Sequence, residues 1–223
     1  MCFSATASFT SAALLIPAGM YCLIKANSLD KPYWAFAMLP LLFGLQQIIE
    51  GGIWLSLQAD DQSAAQRLAL GFLLFSHLFW LGWVPYSSYL TESSPRLRRT
   101  FLLIVLVGLM FGAAMYLPLL NNPSWVIVSI VGNSIDYELK FIFDAYVSQQ
   151  LITVFYVLII LVPLMLSSDQ YHRSLGLLLF LSGLAAWMFF GWAFISVWCY
   201  FAAIISLYIF FIVFRSEAVV RVA

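Results

Sequence analysis

A carboxylic acid stands inside a stretch otherwise fit for a bilayer. It is Glu50, in Phe43-Gly-Leu-Gln-Gln-Ile-Ile-Glu-Gly-Gly-Ile-Trp-Leu-Ser-Leu57. Gln46 lies four residues before it, Gln47 three before and Trp54 four after. At 3.6 residues per turn these share one helix face. Two amides, an acid and an indole N–H then point the same way at membrane depth. A charge there costs about 3 kcal/mol on insertion scales, so the face turns to the protein interior or a wet cavity. Such a group can exchange a proton, accept hydrogen bonds from a ligand, or cross-link helices.

Other residues able to do chemistry are few and scattered. His77 is the one histidine within a predicted span, and the thiols are Cys2, Cys22 and Cys199. A nucleophilic thiol needs a base beside it, which His77 or Glu50 supplies if the fold brings them to Cys2 or Cys199. A metal needs at least three of Cys, His and Glu to converge. Cys2, Cys199, Glu50 and His77 are of the right types, without local ligand spacing, so no metal or cofactor is assigned. Each residue also has a packing reading. Gln46 and Gln47 serve as hydrogen-bonding glue between helices, and Cys199 belongs to the stripe Ser196, Cys199, Ala203, Ser206, which has the spacing of a close helix contact. Gly108-xxx-Gly112 is a second close-packing pattern. Trp34, Trp54, Trp125 and Trp192 suit membrane interfaces. No His-Glu-x-x-His, Gly-x-Ser-x-Gly, phosphate-loop or dinucleotide pattern occurs.

These residues must be positioned by membrane helices. The 223 residues are 64% hydrophobic and 9% charged, and mean hydropathy is +0.98. A soluble domain carries about 25% charged residues. Net charge is zero, which suggests no nucleic-acid surface. Seven spans are predicted, at residues 9–26, 33–57, 67–90, 97–120, 145–166, 174–192 and 195–214. Each is near the ~20 residues a bilayer needs. No internal repeat is evident. The expected fold is an all-α, single-domain bundle of seven transmembrane helices over residues 1–223. Lys25, Lys31, Arg96, Arg98, Arg99, Arg173, Arg215 and Arg221 fall in alternate loops and the tail, leaving only Arg67 and Lys140 for the other side. Basic residues stay cytoplasmic, so the N-terminus is expected outside and the C-terminus inside.

One loop is long, residues 121–144, between helices four and five on the outer side. Trp125-Val-Ile-Val-Ser-Ile-Val131 and Ser134-Ile-Asp-Tyr-Glu-Leu139 flank Gly132-Asn133, which predicts a β-hairpin. Alone it is marginal, so it should lie over the helix ends as a cap. Helix rise then puts Glu50 about 10 Å and His77 about 15 Å from the outer end. Trp198 and Cys199 begin the seventh span, and Cys2 is on the outer tail. Glu50, Gln46, Gln47, His77, Cys2 and Cys199 are expected to line one outward-facing cavity. Trp54, Trp198 and the cap's Tyr137 are candidate ligand contacts, beside Asp136 and Glu138. Cys2 and Cys199 are expected to meet near Glu50, with Cys22 remote.

Met1-Cys2-Phe3-Ser4-Ala5, Gln47-x-x-Glu50-x-x-x-Trp54 and Ser196-Val-Trp198-Cys199 resemble an uncharacterised bacterial family of small integral-membrane proteins, a domain of unknown function. The resemblance runs from residue 1 to about residue 210. Members often carry a histidine where this chain has Gln46, which counts against a metal site common to all. The resemblance implies a bacterial inner-membrane setting and supplies no reaction. Three classes stand open. One is a protein that binds a small ligand or metal in an outward-facing polar pocket under the hairpin, as a binding protein or a membrane-embedded enzyme. Another is a proton-coupled transporter or channel gated at Glu50. The third is an accessory or assembly protein without a ligand. The first is preferred, because the polar residues cluster at the outer ends.

Overall fold

The computed structural model describes residues 4–26 and 32–220, with side chains through Phe214. Cys2, and the expected meeting with Cys199, lies outside the described residues. The protein is mostly helical. The helices are α1 (Ala5–Ala26), α2 (Trp34–Ala37), α3 (Leu39–Gln58), α4 (Gln62–Leu74), α5 (Trp80–Thr91), α6 (Pro95–Asn121), α7 (Gln149–Leu166), α8 (Gln170–Phe190) and α9 (Phe194–Val220). Phe75–Phe79 is a π-helical turn joining α4 to α5, and Gly191–Ala193 is a 3₁₀ turn between α8 and α9. Among the described residues six stretches are long and apolar enough to cross a bilayer, by length and composition. The last of them, Gln170–Phe214, folds back on itself, since Trp198 Nε1 donates to the Leu179 carbonyl at 3.0 Å.

The predicted hairpin forms. Strand β1 (Val126–Val131) pairs antiparallel with β2 (Ser134–Leu139), and Val131 faces Ser134 across a two-residue loop. Gly132 and Asn133 both have positive φ, 54° and 62°, the backbone a type I′ turn needs. Val126, Val128, Ile135, Tyr137 and Leu139 bury one hairpin face in a core with Trp54, Phe72, Tyr116 and Cys199. The Tyr137 ring stacks on Phe72 at 5.0 Å. Burial of about 1.5–3 kcal/mol per large apolar side chain makes a lone hairpin stable here. Gln66 on α4 ties the loop down by donating to the Pro123 and Val126 carbonyls, at 2.6 and 3.0 Å. Asp61 caps α4 through the Ala64 N–H, and that bond lowers its carboxyl pKa.

The opposite end is stitched by loops. Glu92 accepts from the Ser94 and Ser168 N–H groups, both at 2.8 Å, and from Ser167 Oγ. Burial alone would raise its carboxyl pKa, but these bonds hold it below the ordinary value. Asp169 caps α8 through the Tyr171 and His172 N–H groups, and also binds His172 Nδ1 at 3.2 Å and the Tyr33 hydroxyl. Its carboxyl is likewise buried, yet His172 and Tyr33 hold it well below the usual range. Between the two ends Gly112 presses α6 against the π turn and Gly108 presses it against the start of α5. A Cβ on Gly108 would lie 2.1 Å from the Leu81 carbonyl oxygen, and one on Gly112 2.7 Å from that of His77. The sequence's small-residue pattern is therefore a backbone-to-backbone contact.

Candidate functional site: a polar layer behind two cavities

Glu50, on the fourth turn of α3, is fully buried. Gln47 Nε2 donates to its Oε2 at 2.8 Å, and Ser196 Oγ on α9 donates to its Oε1 at 2.6 Å. Trp80 Nε1 on α5 donates to Gln46 Oε1 at 2.9 Å, while the Trp80 ring stacks on Phe43 at 4.1 Å. Cys199 lies beside both Gln46 and Glu50. One polar layer thus joins α3, α5 and α9. Among the described residues, Gln46 Nε2 and Gln47 Oε1 are buried without a nitrogen or oxygen partner.

The layer backs onto open space. Under the hairpin lies a cavity of about 360 Å³ walled by His77, Tyr137, Glu138, Tyr156, Trp198 and Cys199, among others. A larger one of about 610 Å³ adjoins it between α7, α8 and the start of α9, with Ser196 in its wall. Asp136, Tyr137, Gln149, Thr153, Trp192 and Trp198 are among the residues the two share. His77 stands on the π turn, where an extra residue per turn re-aims side chains. Its Nδ1 is 2.9 Å from Ser76 Oγ, and its ring faces Phe141 and Tyr156 at 5.8 and 6.4 Å. Burial and the neighbouring Glu138 push the Asp136 carboxyl above its ordinary pKa.

The structure therefore divides the expected site. His77, Tyr137, Trp198 and Cys199 line one cavity, and Glu138 and Asp136 line it with them. Gln46, Gln47 and Glu50 line neither cavity. They form the layer behind the wall and reach it through Ser196 and Cys199. Trp54 lines neither of these cavities. It is 3% exposed and packs in the hairpin core, and next to it Gly51 and Gly52 stand against Phe9 of α1 and Leu68 of α4. Among the described residues no three His, Cys, Asp or Glu side chains are placed to hold a metal ion.

Sequence reading missed Tyr156, Thr153, Gln149 and Gln150, all cavity-lining residues of α7. A signal existed: Gln149, Gln150 and Thr153 open an otherwise apolar helix. It also missed Tyr33, Asp169 and His172, whose spacing of three between Asp169 and His172 places a cap and its ring partner on one turn.

Comparison with known proteins bears on kinship alone. No curated protein and no solved structure matches the chain. A family model matches it over residues 1–223, its whole length, and on that match the chain belongs to DUF6629, a family of unknown function.

Proposed function

We propose that this chain is a seven-span integral membrane protein that binds a small organic ligand in a pocket open to the outer side, under the hairpin. Its N-terminus lies outside and its C-terminus in the cytoplasm, in a bacterial inner membrane. The observation that carries the reading is the 360 Å³ cavity that gathers His77, Tyr137, Tyr156, Trp198 and Cys199 around one space. A concave site with an apolar wall and a few convergent polar groups is the usual form of a ligand pocket. The direction follows from charge. Lys25, Arg96, Arg98, Arg99 and Arg173 belong to the end where Tyr33, Glu92 and Asp169 interlock, and the hairpin is at the other. Positive residues stay inside, so the hairpin is outside.

A transporter is a weaker reading. The polar groups at the basic end bind one another, and the side chains Leu39, Phe43, Val84 and Ile160 are apolar and enclose a space of only about 40 Å³, with no polar path through it. Catalysis would need a second group on His77 beyond the adjacent Ser76 hydroxyl, so the proposal stops at binding.

The test uses Cys199. With Cys2→Ser and Cys22→Ala it is the sole thiol, and a membrane-impermeant methanethiosulfonate is applied from the outer side of sealed vesicles. Reaction is expected, slowed by burial, and Thr153→Trp should block it. If Cys199 reacts only after denaturation, the pocket reading fails.

A further inference from the structure

The larger cavity has a polarity gradient along the helix axis. Its α7 wall begins with Gln149, Gln150 and Thr153 near the hairpin and continues as Val157, Leu158 and Leu161. Gln149 to Leu161 is twelve residues, about 18 Å at 1.5 Å per residue. One leaflet of hydrocarbon is about 15 Å, half of the ~30 Å core. The wet-to-dry span of the groove therefore matches a single leaflet.

The groove opens sideways. At the basic end α7 and α8 touch closely: a Cβ on Gly176 would lie 2.8 Å from Leu164 Cβ. Seven residues further along α8, a Cβ on Gly183 would first meet Trp198 of α9, at 3.1 Å, and the 610 Å³ cavity lies there between α8 and the Val154–Leu158 side of α7. The two helices splay toward the hairpin like the arms of a V. Leu158, Leu184 and Trp187 line the resulting space yet are 49%, 44% and 64% exposed. A groove between spans that is open on its long side faces lipid, not water.

The upper end is acidic. Asp136 borders both cavities and Glu138 the smaller one, while no Lys or Arg among the described residues lines either. An anionic head would meet like charge there, and a neutral or cationic head would not.

We infer that the ligand is a long-chain amphiphile with a neutral or cationic head, entering from the outer leaflet between α7 and α8. Its chain lies along Val157, Leu158 and Leu161, and its head sits under the hairpin beside Asp136. This deepens the pocket reading and rests on it. The smaller cavity, with His77, Tyr156 and Cys199, then receives the head or whatever the head carries.

The experiment uses three probes with an eighteen-carbon chain and a mid-chain diazirine: an amine, an alcohol and a carboxylic acid. The full-length protein sits in phosphatidylcholine vesicles, and labelled peptides are mapped after illumination. Label is expected on residues 153–161 and 180–187, with the amine and alcohol well above the acid. Leu184→Trp, which fills the groove from its lipid-facing side, should lower that label about tenfold or more, the loss of at least ~1.4 kcal/mol of binding. Asp136→Asn should narrow the gap between amine and acid. Equal labelling of all lipid-facing helices, unchanged by Leu184→Trp, overturns the inference. If Cys199 still reacts from outside in that case, the pocket stands and only the ligand class falls. If Cys199 is also unreactive, both fall together.

Discussion

Replacing Glu50 with leucine separates a brace from an ornament. The carboxyl accepts two hydrogen bonds in a site with no access to water, from Gln47 Nε2 at 2.8 Å and Ser196 Oγ at 2.6 Å. Leucine removes both acceptors and strands both donors. An orphaned buried donor costs about 1–3 kcal/mol, so Glu50→Leu should destabilise by roughly 2–6 kcal/mol. Glu50→Gln should behave differently. Its amide oxygen accepts from Ser196, and its NH₂ finds Gln47 Oε1, which lacks a partner in the wild type. A flip of the Gln47 amide completes the exchange. The expected cost is below about 1 kcal/mol, near the net worth of one hydrogen bond. Ser196→Ala removes one donor and leaves one carboxyl oxygen unmatched, for about 1–3 kcal/mol. The assay is reversible unfolding in mixed micelles, followed by tryptophan fluorescence, with a double-mutant cycle between positions 50 and 196. Glu50→Leu within ~0.5 kcal/mol of wild type would refute the reasoning, since surface substitutions of no consequence fall in that range.

Gly108→Ala should cost about 1–3 kcal/mol or more, because its Cβ would meet the rigid Leu81 carbonyl at 2.1 Å. The same unfolding assay reads the loss, and a changed Cys199 labelling rate would report displacement of the π turn that carries His77. Acid should loosen the basic end. Asp169 and Glu92 have lowered carboxyl pKa values in the fold, so their stabilisation is present above the unfolded values of about 3.9 and 4.3 and is lost as pH falls through the lower folded ones. Unfolding measured from pH 6 to pH 3 should show falling stability below about pH 4, with a flatter profile in Asp169→Asn. A reporter fused after Ala223 should behave as cytoplasmic; periplasmic activity would overturn the seven-span, outside-in topology.

The parts of the fold readable from sequence are those set by local chemistry. Gly132-Asn133 between two apolar runs specifies the hairpin, since both positions need positive φ and only a two-residue loop fits the register. Gln47 and Glu50 lie three apart on one helix, so their bond is a consequence of helix geometry. The Ser196 bond was not readable, because it depends on which helix stands beside α3. The π turn was hidden for a similar reason. Its backbone packs against α6, where Gly108 and Gly112 admit residues 77–81, and that neighbour is not visible in the turn's own sequence. The cavities were half legible. Their polar residues could be named from depth, but empty space arises where α7 and α8 diverge, and no residue type announces divergence.

Seen from α9, the polar layer and the cavities are parts of one device. Ser196 and Cys199 are three residues apart, nearly one turn, in the opening turns of that helix. On one side they touch Glu50 and Gln46, and on the other they wall the two cavities. The turn just before them, Gly191–Ala193, is the point where the chain reverses from α8, and its residues border the larger cavity as well. A chain reversal beside an open groove has little apolar packing on that side, as the exposure of Trp187 and Trp192 indicates. It needs a fixed anchor on its other side, and the Glu50–Ser196 bond supplies one in a setting where water cannot compete. A buried acid is a costly anchor compared with leucine packing. What it adds is a defined register between α3 and α9, and with it the position of Cys199 in the cavity wall. The acid at the centre of the sequence thus acts on the pocket through the helix it holds.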